Sequence, residues 1–89
     1  MHFAIRYAER ALRDLRQLDH GIAQRIVSKV RQYRLSENPL IYAQRLTGAH
    51  RGLYRFRIGD YRIVFTANKE GNLVILLILR IAHRREVYR

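Results

Sequence analysis

The 89-residue chain carries 18 Lys and Arg against 7 Asp and Glu, a formal net charge of +11, and it contains no cysteine. This length allows one core, so a single domain over residues 1–89 is expected. The lack of cysteine excludes disulfides and thiolate metal sites, and the longest apolar stretch, Leu73 to Leu79, is too short to cross a membrane. We therefore expect a soluble, cytoplasmic protein.

The positive charge is almost entirely arginine, because Lys29 and Lys69 are the two lysines. A guanidinium binds phosphate through two parallel hydrogen bonds and stacks on bases, whereas an ammonium acts as a point charge. Nucleic acid is therefore the first expected partner, and an acidic protein is the second.

The first half of the chain predicts a strand and two helices. His2 to Tyr7 is short and alternates loosely, as a strand does. The next segment repeats leucine at helical spacing, at Leu12, Leu15 and Leu18, and these side chains are expected in the core. After an interruption at Asp19 to Gly21, a second helical stripe runs from Ile22 to Tyr33 and ends before the turn at Pro39. Two helices joined by a tight turn form a helical hairpin.

The second half predicts an antiparallel meander. Leu40 to Arg51 is weakly patterned and is interpreted as a short helical turn followed by a loop. Three strands follow, over Gly52 to Ile58, Tyr61 to Asn68, and Leu73 to about His83. The last strand is apolar at both odd and even positions, so both of its faces should be at least partly covered and it should be central in the sheet. The predicted fold class is α+β, with the helical hairpin on one face of a mainly antiparallel sheet of three to four strands.

The two-residue link Gly59-Asp60 fixes the register of the first hairpin. It places Arg57 opposite Arg62, with Arg55 on the same sheet face, and leaves the aromatic face to the core. Continuing with Asn68 opposite Leu73 puts four further residues on the arginine face: Leu77, Leu79, Ile81 and His83.

Opposed arginines need an explanation, because like charges facing each other destabilise a sheet by about 0.2 to 1 kcal/mol per pair. In one interpretation the arginine stems only cover the sheet while their heads extend into water. The chain has few acids with which to neutralise the patch, so an external phosphate chain is the preferred explanation.

The C-terminal sequence HRREVYR adds an imidazole, guanidiniums and a phenol. An imidazole moves protons near neutral pH, a guanidinium stabilises charge developing on a phosphate, and a phenol stacks on a base or orients a hydroxyl. Alternatively, His83 is a structural strand-end residue, Tyr88 packs on the core, and Arg84 and Arg85 are solvated. The histidines lack ligand spacing and no acidic cluster is present, so no metal and no other cofactor is expected.

The sequence resembles the RelE/ParE superfamily of toxins from bacterial and archaeal toxin-antitoxin pairs. The resemblance lies in the segments YAERALRDLRQL, QRLTGAHRGLYRFRIGDYRIVF and ILRIAHRREVYR. The ending HRREVY is similar to that of RelE-like members, which cut messenger RNA in the ribosomal A site. ParE-like members share the fold, act on DNA gyrase and usually lack this combination of His and Tyr.

The resemblance implies a type II toxin that inhibits translation as a ribosome-dependent, metal-independent mRNA interferase. In such enzymes the ribose 2′-hydroxyl attacks the adjacent phosphate and leaves a cyclic phosphate and a free 5′-hydroxyl. The expected catalytic residues are Arg57, Arg62, His83, Arg84 and Tyr88. The expected RNA-binding residues are Arg45, Arg51, Arg55 and Arg85.

One departure concerns the general base. Some members carry lysine in the first-strand pair that matches Arg55 and Arg57, and a guanidinium is a poor base. The resulting hypothesis makes His83, which has counterparts in some members, one proton carrier.

The resemblance also implies partners. These are a cognate acidic antitoxin of the RelB type, the 70S ribosome and its mRNA, with the toxin monomeric inside a toxin-antitoxin hetero-oligomer and no membrane partner. Two alternatives stay open at this point: a gyrase inhibitor with no cleavage of its own, and a non-catalytic RNA-binding relic.

Overall fold

Two helices pack on one face of a five-stranded sheet in the computed structural model, which describes residues 2–86. In chain order the elements are β1 (His2–Tyr7), α1 (Glu9–Arg16), α2 (His20–Arg34), β2 (Ala43–Arg45), β3 (Tyr54–Ile58), β4 (Tyr61–Glu70) and β5 (Leu73–His83). Two 3-10 turns, Pro39–Tyr42 and Gly48–His50, flank β2. No helix within residues 2–86 has the length and hydropathy needed to cross a bilayer.

The strand order is β1-β5-β4-β3-β2, with β1 parallel to β5 and every other pair antiparallel. The predicted α+β class and the central position of β5 are confirmed. The predicted count of three to four strands is one too low, because the segment interpreted as a loop contains the edge strand β2. This strand has only three residues, Ala-Gln-Arg, and pairing with β3 rather than any alternation of its own makes it a strand.

The first hairpin has the predicted register at all five pairs from Tyr54↔Phe65 to Ile58↔Tyr61. Gly59 adopts a φ of +58°, whereas Asp60 keeps a negative φ. Positive φ at only the first central residue is what a type II′ turn requires, and it matches the twist of the flanking strands.

The second hairpin departs from its predicted register in two ways. Glu70, rather than Asn68, lies opposite Leu73, so the pairing is displaced by two residues and the side-chain faces are kept. Farther along, Phe65 pairs with Ile78 while Val64 pairs with Arg80, so Leu79 is an additional residue in a β-bulge. One additional residue reverses the parity of everything beyond it.

The sheet face predicted for the residues at the end of the last strand is therefore wrong, although the strand ends at His83 as predicted. Leu77 stays on the arginine face, opposite Thr66, as expected. Beyond the bulge, Ile81 pairs with Ile63 and His83 pairs with Tyr61, which puts both on the helix-packed face. A bulge in a strand that is apolar at both parities leaves no trace in the hydrophobic pattern.

The core lies between the helices and the aromatic face of the sheet. Phe56 and Phe65 are fully buried and stack at 4.4 Å between ring centroids. From the helices, the buried apolar residues are Ala11, Ile26 and Val30. The predicted leucine stripe is only partly correct: Leu15 and Leu18 pack against the core, whereas Leu12 is exposed and Ala11 takes the buried position.

Asp14 attaches α1 to the part of β5 that β1 does not cover. The β1 pairing with β5 stops at Tyr7↔Ile78, and beyond it the Asp14 carboxylate accepts the Ile81 N–H at 2.9 Å and the Arg80 Nε at 3.1 Å. Arg10 Nε donates to its other oxygen at 3.2 Å. Asp14 is 8% exposed, so this carboxylate substitutes for a neighbouring strand at the end of β5.

Candidate phosphate-binding site

Four guanidiniums gather at one end of the sheet, and we call Arg55, Arg57, Arg62 and Arg84 the arginine cluster. Arg57 and Arg62 lie directly opposite each other on β3 and β4, and Arg55 shares their face. Arg84 joins them because the chain after β5 crosses the β3–β4 turn, where its backbone N–H donates to the Asp60 carbonyl at 2.7 Å. Three separate chain segments therefore bring their positive charges together.

Arg62 is held in place by the turn itself. Its Nη1 donates to the carbonyl oxygens of Gly59 at 3.1 Å and Tyr61 at 3.0 Å. Burial lowers the pKa of Arg62, and the nearby charges of Arg57 and Arg84 lower it further, with Asp60 acting in the opposite direction. A guanidinium that is fixed and crowded by like charges is prepared to bind an anion.

Arg55 is the buried member of the arginine cluster, because only 5% of its surface is exposed. Its Nε and Nη2 both donate to Gln44 Oε1, at 3.0 and 2.7 Å, across the β2–β3 pair. Burial lowers the pKa of Arg55, as do the charges of Arg57 and Arg62. Only a small part of the Arg55 side chain reaches the surface, where the RNA contact predicted for it would have to form.

Asp60 is the acid that the described structure pairs with this cluster. Its Oδ1 lies 3.9 Å from Arg84 Nε, and both side chains are exposed. Ion pairs of this kind contribute little in water. Repulsion among the four guanidiniums is therefore largely uncompensated by this contact, and a bound anion would relieve it.

His83 lies at the same end of the sheet but on the other face. Its ring meets Tyr61 edge-on, with 5.5 Å between centroids, and its Nδ1 accepts the Arg85 N–H at 3.3 Å. The neutral ring therefore carries its proton on Nε2. His83 borders a cleft of about 320 Å³ together with Asp14, Gln17 and Glu86. Successive residues at the end of a strand point to opposite sides, so Arg84 reaches the cluster and His83 faces α1.

The remaining predicted site residues are not part of the cluster. Arg45 is exposed on β2 opposite Tyr54, which places it on the helix-packed face. Arg51 is exposed in the loop before β3, and Arg85 is exposed after β5. Tyr88 lies outside the described residues.

Two residues that shape the site escaped prediction from the sequence. Gln44 belongs to a strand too short to recognise, so its position beside Arg55 has no signal in the pattern. Asp14 sits among exposed arginines on a short amphipathic helix, and only the meeting of α1 with the end of β5 shows that it is buried.

Comparisons with known proteins agree with the fold. The family model of the ParE toxin of type II toxin-antitoxin systems, parDE, matches residues 5–88. Toxin RelG of Mycobacterium tuberculosis is 32% identical over 92 residues, which cover 100% of this chain and 99% of that protein.

Solved structures with a similar fold include two toxin-antitoxin complexes. The RelBE2 complex of Mycobacterium tuberculosis contains a chain with a TM-score of 0.74 and 29% identity, covering 94% of this chain and 100% of that one. The archaeal RelE-RelB complex of Pyrococcus horikoshii OT3 has a TM-score of 0.72 and 21% identity, with 98% and 100% covered. The chain therefore belongs to the ParE toxin family of type II toxin-antitoxin systems, within the RelE/ParE superfamily that its sequence resembles.

Proposed function

We propose that this toxin inhibits translation as a metal-independent endoribonuclease, cutting mRNA in the A site of the 70S ribosome. The observation that carries the proposal is the convergence of Arg57, Arg62 and Arg84, with Arg62 fixed by two backbone carbonyls. Preorganised donors of this kind stabilise the charge that develops on a phosphate during displacement.

The proposed reaction is an internal transfer at phosphorus. The 2′-oxygen bonds to the adjacent phosphorus while the bond from phosphorus to O5′ breaks, which gives a cyclic phosphate and a free 5′-hydroxyl. One proton leaves the 2′-hydroxyl and one is delivered to O5′. The arginines hold the non-bridging oxygens, since guanidiniums are too basic to take the first proton.

His83 is the proposed proton carrier, and its position limits how the substrate can lie. Its ring is on the α1 side of the end of β5, whereas the arginine cluster is on the other face. The RNA strand would therefore pass around the end of β5, between Arg84 and His83. Tyr88 is proposed to position or stack on a nucleotide from the following segment.

The proposed partners follow from the charge. Of the similar structures named above, RelBE2 is a toxin-antitoxin complex and the archaeal structure is a complex of RelE with RelB. We expect this toxin to bind a small acidic antitoxin as a monomer within a cytoplasmic hetero-oligomer, because an acidic chain over the arginine face would neutralise the repulsion and block RNA.

Inhibition of DNA gyrase is the second candidate, and the match to the ParE family model favours it. That function needs a binding surface and no cleavage. A gyrase supercoiling assay with the same purified toxin distinguishes the two activities.

The deciding experiment is primer extension on a defined mRNA programmed into 70S ribosomes. We expect a cut within the A-site codon that requires the ribosome, survives EDTA and falls about 100-fold or more in Arg62→Ala, the scale of losing one preorganised donor. Lys69→Ala is the matched control, because it removes one exposed positive charge at the far end of β4. No cut by folded, antitoxin-free toxin, or equal cutting by Arg62→Ala, would overturn the proposal.

A further inference from the structure

A cleft of about 280 Å³ opens beside the arginine cluster at the free edge of the sheet. It is lined by Ile41, Tyr42, Ala43, Gln44, Arg55 and Arg57. Because Arg57 belongs both to the cleft and to the cluster, a phosphate bound between Arg57 and Arg62 would place the adjoining nucleoside at the mouth of the cleft. Its volume is at the small end of ligand clefts, which suits one nucleoside better than a helix or a folded surface.

One side of the cleft offers apolar surface. Ile41 is 69% exposed and Tyr42 is 48% exposed, although both are large apolar residues. The Tyr42 ring is braced by Tyr33, on which it stacks at 4.5 Å with 14° between the planes. A braced, half-exposed aromatic ring loses little freedom when a base stacks on it.

The other side of the cleft offers polar groups with a defined orientation. Arg55 occupies Gln44 Oε1 with two hydrogen bonds, so the Gln44 Nε2 donors point away from Arg55. β2 is the last strand of the sheet, and just beyond the β2–β3 pair the Leu46 N–H donates to the Leu53 carbonyl. Because backbone hydrogen bonds alternate along an antiparallel pair, the N–H and carbonyl of Gln44 also point toward β3. Those of Ala43 point away from β3, toward the free edge of the sheet. The Ala43 N–H donates to the Leu40 carbonyl, so the Ala43 carbonyl is the group that this residue presents at the open edge.

The cleft suits a base attached to a phosphate, because it combines an apolar surface, an oriented amide, an outward carbonyl and an adjoining guanidinium. An acidic protein strand added to the edge of β2 is the competing occupant, but β2 has three residues and offers few backbone groups for pairing. The lining includes two guanidiniums, which favour a nucleotide over an apolar peptide.

We infer that this cleft is a nucleobase subsite, in which Tyr42 stacks on the base next to the phosphate held by Arg57 and Arg62, and Gln44 Nε2 donates to that base. The inference rests on the proposed function and deepens it, since it assigns the residues that set nucleotide preference. Tyr42 and Gln44 act on binding and selectivity, and they take no part in bond cleavage.

The test is binding of a 2′-O-methyl ribotrinucleotide, which cannot be cleaved, compared with the same trinucleotide made abasic at each position in turn. Fluorescence anisotropy at low salt gives both affinities for each variant. We expect Tyr42→Ala to weaken the intact trinucleotide roughly 5- to 100-fold, the scale of one base–aromatic stack. It should leave unchanged the affinity for the probe that lacks the stacked base.

Three further variants sharpen the result. Tyr42→Phe keeps the ring and should bind as the wild type does. Gln44→Glu keeps an acceptor for Arg55 and removes the donor to the base. Its negative charge should lower the affinity for every probe by a similar factor. In addition, the loss of the donor should change which base is preferred. Leu35→Ser is the control, because Leu35 is 68% exposed and lies outside the cleft lining.

The assay separates this inference from the proposed function because it needs neither ribosome nor cleavage. Base-dependent trinucleotide binding by a toxin that makes no cut in the primer-extension experiment would support the subsite and count against the endonuclease. No trinucleotide binding by the wild type, equal losses on intact and abasic probes, or no loss on either would overturn the subsite. Losses confined to complex formation with an acidic antitoxin would also overturn it and assign the cleft to a protein partner.

Discussion

Arg80 near the end of β5 and Arg84 just after it lie four residues apart, and their charges have different surroundings. Arg80 Nε donates at 3.1 Å to the buried Asp14, a carboxylate that also accepts the Ile81 N–H and Arg10. Within residues 2–86, the acid paired with Arg84 is the exposed Asp60 at 3.9 Å, and Arg84 lies near Arg62. Among the described residues, a buried carboxylate compensates charge where α1 is attached to β5, whereas a single exposed carboxylate faces the cluster where an anion is proposed to bind.

Among the substitutions that test this difference, Asp14→Ala is expected to have the largest effect. The substitution leaves the Ile81 N–H and two guanidiniums without their buried acceptor, so the free energy of unfolding should fall by about 3 kcal/mol. Urea denaturation measures the change. Asp19→Asn is the control, since Asp19 makes no side-chain capping hydrogen bond and should alter stability by less than about 0.5 kcal/mol. Equal stability of the wild type and Asp14→Ala would show that α1 docks without the carboxylate.

His83→Gln tests whether the α1 side of the strand end belongs to the active site. Removing a proton carrier typically slows a reaction by about 100-fold or more, so single-turnover cleavage on the ribosome should fall by that factor. Ribosome binding and the urea midpoint should stay unchanged, because Gln keeps a polar group at this half-buried position. Undiminished cleavage would remove His83 from the mechanism and confine the chemistry to the arginine face.

The smallest effect is expected from Arg57→Gln, and its sign is the informative part. Arg57 is exposed and directly opposite Arg62, so the substitution should raise the free energy of unfolding by about 0.2 to 1 kcal/mol while weakening RNA binding and cleavage. A loss of both stability and activity would mean that Arg57 supports the fold.

Salt provides the control for that result. Burial and, after it, the neighbouring charges hold the pKa of Arg62 below its usual value, which means that the folded state disfavours the charged form. The penalty is present at all pH values below the folded pKa and disappears only as pH rises through the strongly alkaline range, so pH is an impractical probe. Screening by salt relieves the same repulsion near neutral pH and should stabilise the wild type more than Arg57→Gln.

The sequence by itself determined the first hairpin and its charges. A two-residue turn with Gly59 at its start leaves one compatible register, and the alternation of aromatic and arginine residues assigns each face. The opposed pair Arg57 and Arg62 follows from these local rules. The aromatic core face is predictable for the same reason, because period-2 patterning and burial agree there.

Only the tertiary structure decided the surroundings of that hairpin. The bulge at Leu79 is invisible because β5 is apolar at both parities, so nothing in its pattern indicates which face His83 takes. β2 is a strand only through pairing with β3, which is why Gln44 and the cleft escaped prediction. Asp14 is buried because β1 ends before β5 does and α1 covers the exposed strand edge, a relation between distant segments that no local pattern encodes.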